Sequence, residues 1–383
     1  MLSKKEKLAR LKIMRSEAIG SSTFWNFLEV YGSGEKLLKV LPTLYNSHIK
    51  ISIKYDGSSD SSLQHFKLCS DEDIKEEFAA LKEIGGRIVF FEDELYPPLL
   101  RNIPDPPPLL TLLGEKSRIL DFYNRNIISV VGSRNSSIHA NKFCSNLCSE
   151  LSRANIVIVS GLARGIDANA HLGSLENGTI AVVAGGINVV YPQENAQLYK
   201  EIAKKGCIIA EMPYDTAPQP HFFPRRNRII AGISYGTIVV EAAAQSGSLI
   251  TARMALEYNR DVFAVPGFPL DPRSVGCNTL LKEGAILVQG PQDVLDYVEN
   301  RKIMEKSLLE SREPFAARIS DYDVERTQGQ IMKSLSSVPI TIDELIAAIK
   351  VPPQEVLAAL LKLELSNRIV RLHGQKVCLM LDG

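Results

Sequence analysis

Seven short apolar runs along residues 126–299 decide most of what this chain can fold into. They are Ile127–Val131, Ile156–Ser160, Thr179–Val183, Cys207–Ala210, Thr237–Val240, Val262–Val265 and Ala285–Val288. Each is rich in β-branched residues and nearly unbroken, the pattern of strands covered on both faces. Helical lengths separate most of them, among them Asn141–Arg153, Asp167–Glu176 and Glu194–Lys204. Such alternation predicts an α/β fold: an extended, Rossmann-like, doubly wound and mostly parallel sheet.

In such a sheet ligands bind beyond the carboxyl ends of the strands. The first strand ends in Gly132-Ser133-Arg134-Asn135, and the second in Ser160-Gly161-Leu162-Ala163-Arg164-Gly165-Ile166-Asp167. The third ends in Ala184-Gly185-Gly186, with Tyr191-Pro192-Gln193-Glu194-Asn195 soon after. Glu211-Met212-Pro213 closes the fourth, and Glu241 with the small-residue loop Gln245-Ser246-Gly247-Ser248 closes the fifth. Glycines let a backbone approach a ligand, and arginines supply fixed forks for phosphate.

Between the fourth and fifth strands lies Phe223-Pro224-Arg225-Arg226-Asn227-Arg228. Pro224 suits the first turn of a helix, where its missing N–H costs nothing. That places the arginines beside amides that already favour an anion, against the helix dipole. A bound polyanion accounts for them; a solvated basic helix start is the plainer alternative. Helical spacing puts Arg225 and Arg228 on one face as phosphate forks and turns Arg226 elsewhere, as a loop anchor. Phe222 and Phe223 are candidate stacking platforms, of which at least one is expected to be buried.

With Lys+Arg 44 against Asp+Glu 44, the formal net charge is zero. Any nucleic-acid site is then a local basic patch, not a global field. There is no GxGxxG after the first strand and no acidic residue placed for a ribose, so a dinucleotide is disfavoured. GxxxxGK[ST] and GxSxG are absent too. His171 reads as a packing residue, and with His221 it forms no acid–base pair that calls for an enzyme. Cys144 and Cys148 lie one helical turn apart near His139, but no second ligand pair follows. An inward helix face is favoured over a metal. No catalytic residue, metal or cofactor is expected. The charged start MLSKKEKLARLK lacks an apolar signal core, and no apolar run is long enough to span a bilayer. A cytoplasmic protein without a membrane partner is expected.

Leu8–Ser16, Thr23–Val30 and Lys36–Leu41 read as helices around glycine punctuation, a small helical (SAM or helix-hairpin-helix-like) domain over 1–70. Residues 55–64 are polar and loop-like. The sheet domain is set at 71–299, opening with a helix over Ser70–Glu83 and a strand over Arg87–Glu92. Tyr96–Leu110, full of prolines, reads as a rigid strap. A linker follows over 300–319, charged and read as helical over Glu299–Arg312, then a winged-helix-like domain over 320–383 with helices Thr341–Ile349 and Pro352–Leu365. Arg368–Leu372 and Val377–Met380 are expected to pair as a hairpin around His373-Gly374-Gln375. Between Glu355 and Glu364 the only cation is Lys362, which argues against groove reading and makes protein contact or regulation at least as good a reading.

Taken in order, GSR (Gly132–Arg134), SGLARGIDANAH (Ser160–His171), YPQEN (Tyr191–Asn195), FPRRNRIIAG (Phe223–Gly232), VVEAAAQSGSLITA (Val239–Ala252) and VFAVPG (Val262–Gly267) resemble the DNA-processing protein A family, DprA or Smf. The likeness runs from Tyr96 to about Gly290, more loosely at the two ends. It implies a Rossmann-like domain that binds single-stranded DNA and forms a homodimer. It also implies handover of the strand to the RecA recombinase in natural transformation. On this resemblance the DNA-binding residues are Ser133, Arg134, Gly161, Arg164, Gly165, Phe223, Arg225, Arg226, Asn227, Arg228, Ser246 and Gly247. Gln193-Glu194 replaces a position that is sometimes Lys in the family, so no phosphate contact is expected there.

Two other readings stay open. A LOG-like nucleotide phosphoribohydrolase has a similar sheet, but its PGGxGTxxE loop is missing. A protein-bridging scaffold would use the arginines as a docking patch.

Overall fold

The structure is a computed structural model that describes residues 2–16, 19–46, 67–310, 321–366, 368–372 and 376–380. The polar stretch 55–64 and the hairpin turn 373–375 lie outside the described residues. The chain divides into two compact units, Met1–Glu299 and Asn300–Gly383.

The first unit opens with three helices, α1 (Lys4–Arg15), α2 (Ser21–Tyr31) and α3 (Gly34–Asn46), gathered around Ile13, Phe24, Leu37 and Leu41. Helix α4 (Asp71–Glu83) starts at a capping box, Ser70 accepting from Asp73 N–H while the Asp73 carboxylate accepts from Ser70 N–H. Leu11 of α1 and Ile74 of α4 pack on Phe90 and Leu109. These belong to the first two strands, β1 (Gly86–Phe90) and β2 (Leu109–Leu113). The helical module and the sheet therefore share apolar core, and the boundary expected at 70 falls inside one compact unit. The proline strap makes one short turn at Leu99–Asn102 and then becomes β2, a strand not expected from sequence. Its prolines stop at Pro108, one residue before the strand begins.

The alternation then runs α5 (Lys116–Tyr123), β3 (Asn126–Val131), α6 (Ile138–Arg153), β4 (Ile156–Ser160), α7 (Ile166–Ser174) and β5 (Thr179–Val183). It continues with α8 (Ala196–Lys205), β6 (Cys207–Ala210), α9 (Phe222–Ile233), β7 (Gly236–Val239), α10 (Ser248–Glu257), β8 (Asp261–Ala264), α11 (Val275–Lys282), β9 (Ile286–Leu287) and α12 (Pro291–Glu310). The strand order is β1-β2-β6-β5-β4-β3-β7-β8-β9. Pairing is antiparallel as far as β6 and parallel from β6 to β9. The chain winds outward from β3 to β6 and returns to β7, so the order reverses between β3 and β7. Ligands of doubly wound sheets favour that point. Side chains of α9, α10 and α11 cover one face; α6, α7 and α12 cover the other. Cys144 and Cys148 lie fully inside the second layer, as an inward helix face.

In the second unit, α12 runs on to Glu310, so the expected linker begins as helix. Helices α13 (Asp321–Ser334), α14 (Ile342–Ile349) and α15 (Pro353–Leu365) pack with strands β10 (Ile340–Thr341), β11 (Ile369–Leu372) and β12 (Lys376–Leu379). The strands pair antiparallel in the order β10-β12-β11. This is a winged helix, closed over Ile331, Leu345, Val356, Leu360 and Val377.

Candidate nucleic-acid interface

Two adjoining cavities of about 500 Å³ and about 650 Å³ open along the carboxyl edge of the sheet. They share Arg134, Asn135, Ala163, Phe223 and Arg226, so together they form one cleft. The first is bounded by Gly161, Arg164, Gly185, Tyr191 and Pro218. The second is bounded by Ser133, Asn227, Gln245, Ser246, Gly247 and Thr251.

The cleft is shaped by three turns and one helix. In the β3–α6 loop, Ser133 N–H donates to the Glu241 carbonyl at 2.7 Å, and Ser133 O accepts from Ile166 N–H at 3.2 Å. Gly165 makes that second contact possible. It holds φ +70°, and a Cβ there would run into the Ser133 carbonyl. Arg134 leaves this loop exposed, its guanidinium carbon 4.7 Å from the centroid of the Phe223 ring. A cation over an aromatic face at that distance is attracted to it. Tyr191 is a second ring on the same wall, 6.0 Å from Phe223 at a tilt of 55°. Both Phe222 and Phe223 are half-buried, so the expectation that one of them is buried does not hold. Phe223 lines the cleft, whereas Phe222 packs edge-on against His221.

Helix α9 carries the arginines, and they face other ways than helical spacing suggests: Arg226 lines the cleft, while Arg225 and Arg228 do not. Arg226, expected to anchor a loop, forms the floor of both cavities at 6% exposure. Its Nη1 stands 3.8 Å from Asp167 Oδ2, and its Nε–H has no partner. Burial pushes the Arg226 guanidinium down to about 10 against the pull of Asp167, and burial pushes the Asp167 carboxyl up. A loosely paired, dehydrated guanidinium has donors to spare for an anion in the cleft. Gly161 is fixed by it too, since a Cβ there would overlap the guanidinium.

Arg228, expected to be a phosphate fork, lines neither cavity. It is buried with Glu211 at 2.5 Å, and it donates to Asp105 O at 2.6 Å and to Ser21 Oγ at 3.2 Å. Its guanidinium is therefore committed to tying α9 to β6, the strap and α2, which speaks against the phosphate contact expected of it. Arg225 does share that side: its Nη2 is 3.5 Å from Glu211 Oε1, partly exposed and outside both cavities. Arg164 is exposed at the rim and paired with Glu194 at 2.8 Å. Exposed pairs of this kind are weak enough for a phosphate to compete with.

His171 is fully buried, with Nδ1 2.7 Å from Thr179 Oγ1. Burial, helped by the charge of Arg226, lowers it to about 3, so it is neutral at ordinary pH. It is a core residue. Asp167 is the one carboxylate lining either cavity among the described residues, and Arg226 faces it. Tyr191, Asn135, Gly185 and Gln245 were not singled out as ligand residues. They sit in turns whose small or polar residues were recognised at the strand ends, and that position was the available signal.

Residues 87–299 match the family model described as DNA recombination-mediator protein A. Residues 4–55 match a DprA-like N-terminal HHH domain, and residues 316–375 the DprA winged helix domain. Protein Smf of Escherichia coli (strain K12) is 35% identical over 332 residues, 86% of this chain and 87% of that protein. The X-ray structure of DNA processing protein A from Streptococcus pneumoniae superimposes with TM-score 0.60 at 33% identity, over 77% of this chain and 98% of that one. A structure of DNA processing protein A from Helicobacter pylori, titled for its single-stranded DNA binding mode, superimposes with TM-score 0.51 at 27% identity. It covers 56% of this chain and 97% of that one.

Proposed function

The chain belongs to the DNA recombination-mediator protein A family, and on that premise we propose that it binds single-stranded DNA in the arginine cleft. There it protects the strand and loads the RecA recombinase onto it during natural transformation or recombination. A DNA-processing role comes with the family. The observation that carries the finer reading is Arg134 lying over Phe223 at the junction of the two cavities, with Arg226 beneath. Arginine forks for phosphates beside a part-exposed aromatic for bases suit a single strand of any sequence. Ser133, Arg134, Arg164, Arg226 and Asn227 would meet phosphate or sugar; Phe223 and Tyr191 would meet bases; Gly161, Gly165, Ser246 and Gly247 let the strand come close.

Homodimerisation through the sheet domain is part of the proposal. It rests on membership of the family alone. The winged helix has Leu357, Leu361 and Leu365 on one side of α15 at 45%, 53% and 76% exposure. Such a face suits protein contact better than a major groove. The proposed working parts are 1–70, 71–299 and 320–383, in the cytoplasm and without a membrane partner. No described helix is long and apolar enough to cross a membrane.

The hydrolase reading is disfavoured, because it needs a carboxylate free to act in the cleft and Asp167 faces Arg226 instead. No catalytic residue, metal or cofactor enters the proposal. Filter binding of labelled oligo-dT, with single-stranded and duplex competitors, tests it. Single strands should compete well ahead of duplex at equal nucleotide concentration. Equal competition would sink the cleft assignment, and no binding at all would favour the scaffold.

A further inference from the structure

Glu241 ends the fifth of the strands legible in sequence, and it is the acid that a hydrolase on this sheet would call on. In the structure its carboxylate stays out of the cleft. Oε2 accepts from Ser137 Oγ–H at 2.7 Å, and Oε1 accepts from Ser137 N–H at 3.1 Å. Its backbone carbonyl accepts from Ser133 N–H at 2.7 Å. Ser133 and Ser137 are close to the two ends of the β3–α6 loop, and Arg134 lies between them. One residue of the neighbouring strand therefore holds both ends of the segment that presents Arg134.

The register explains how. Val131 pairs with Val239, so Ser133 and Glu241 each stand two residues beyond the same strand pair. From there the main chain of Glu241 reaches Ser133 and its side chain reaches Ser137. The Ser137 hydroxyl passes the constraint on, accepting from Ala140 N–H as the N-cap of α6. Glu241 is 7% exposed and makes no ion pair within 4 Å among the described residues, although the charge of Arg273, which lines a neighbouring cavity with it, acts on it. Ser137 alone would cap the helix, so what the carboxylate adds is a fixed loop.

We propose that Glu241 is a positioning residue for Arg134, holding the loop so that the guanidinium stays over Phe223 and between the two cavities. This rests on the DNA-binding reading of the cleft. Placement matters because a preorganised fork binds a phosphate without first having to be ordered.

A double-mutant cycle tests it, using oligo-dT binding by the full chain. Arg134→Ala measures what the guanidinium provides, about tenfold or more for a hydrogen bond to a charged group. Glu241→Ala should lose about as much and flatten the salt dependence by the same amount, because both remove one phosphate contact. The double mutant should bind within about twofold of either single one, the mark of two residues acting through one contact. Glu241→Gln keeps the volume and an acceptor for Ser137 N–H, and it should recover most of the affinity. If Glu241→Ala does not fold, judged by circular dichroism, Ser137→Ala takes its place in the cycle. Additive losses, or wild-type binding by the Glu241 variant while Arg134→Ala is weak, overturn the positioning role and leave the cleft intact. Wild-type binding by Arg134→Ala moves the DNA elsewhere, and the positioning role goes with it.

Discussion

Arg228 and Glu211 meet at 2.5 Å, both buried, and neither lines the cleft. The same carboxylate oxygen accepts from Ser21 Oγ–H at 3.1 Å, so this ion pair also fastens α2 to the end of β6. Removing Arg228 would leave the buried Glu211 with only the part-exposed Arg225, at 3.5 Å. Arg228→Ala should therefore destabilise the sheet unit, by up to about 3–5 kcal/mol, the usual cost of breaking a buried pair from one side. Urea unfolding measures this. The protein that remains folded should keep the wild-type salt slope for oligo-dT, and a shallower slope would mean that Arg228 touches phosphate after all.

Arg134 and Phe223 contribute in different ways, and salt separates them. Arg134→Ala should weaken binding and make the slope of log affinity against log salt shallower by about 0.7, the value for one phosphate contact on a single strand. Phe223→Leu should weaken binding by about 1–3 kcal/mol, the worth of one stacked base, with the slope unchanged. A Phe223 variant that changes the slope would show that the ring acts only by holding Arg134.

Gly161 has no freedom to grow. A Cβ there falls on the Arg226 guanidinium, so Gly161→Ala must displace that side chain. The atoms it meets are the far end of a flexible side chain, so the cost lies in moving the guanidinium away from Asp167 and not in overpacking of the core. The variant should melt lower than wild type and bind oligo-dT more weakly, with a shallower salt slope. A variant that binds normally would take Arg226 out of the contact set.

His171 makes the fold sensitive to acid. Its folded value is about 3, against about 6.5 for a free imidazole. Between those values the unfolded chain holds the extra proton. The contribution of His171 is thus complete above about pH 6.5 and lost as the pH falls towards 3, at up to about 1.4 kcal/mol per pH unit. His171→Gln should flatten the fall of stability over that window, as read from urea midpoints at a series of pH values. An unchanged pH profile would assign acid unfolding to other groups.

The strands from β3 to β8 are legible because each carries an apolar run buried on both faces, and such a run has few other places to go; β9 is only two residues with Leu287 exposed, and its signal is the apolar stretch Ala285–Val288 around it. β2 was not legible, because three prolines stand directly before Leu109 and their effect on the backbone was extended too far along the chain. The cleft was found through its turns, Gly132–Asn135, Ser160–Asp167 and Gln245–Ser248. The facing of the arginines was not. From Arg228 to Ile233, α9 is buried all round, so no apolar stripe orients it. The partners that claim Arg228 are 17, 123 and 207 residues away in the chain, and no local spacing reports them.

Arg226 and Asp167 have a consequence for how this protein can change. Both are charges held out of water, 3.8 Å apart, with one guanidinium N–H unsatisfied. Well-packed apolar residues commonly replace such a pair with no loss of stability, and often with a gain. A chain relieved of the DNA binding proposed for this cleft would thus have a short path to a sturdier fold, through two substitutions in the cleft floor. Selection for thermal robustness alone would push variants along it, and on that proposal the first property lost would be the grip on phosphate.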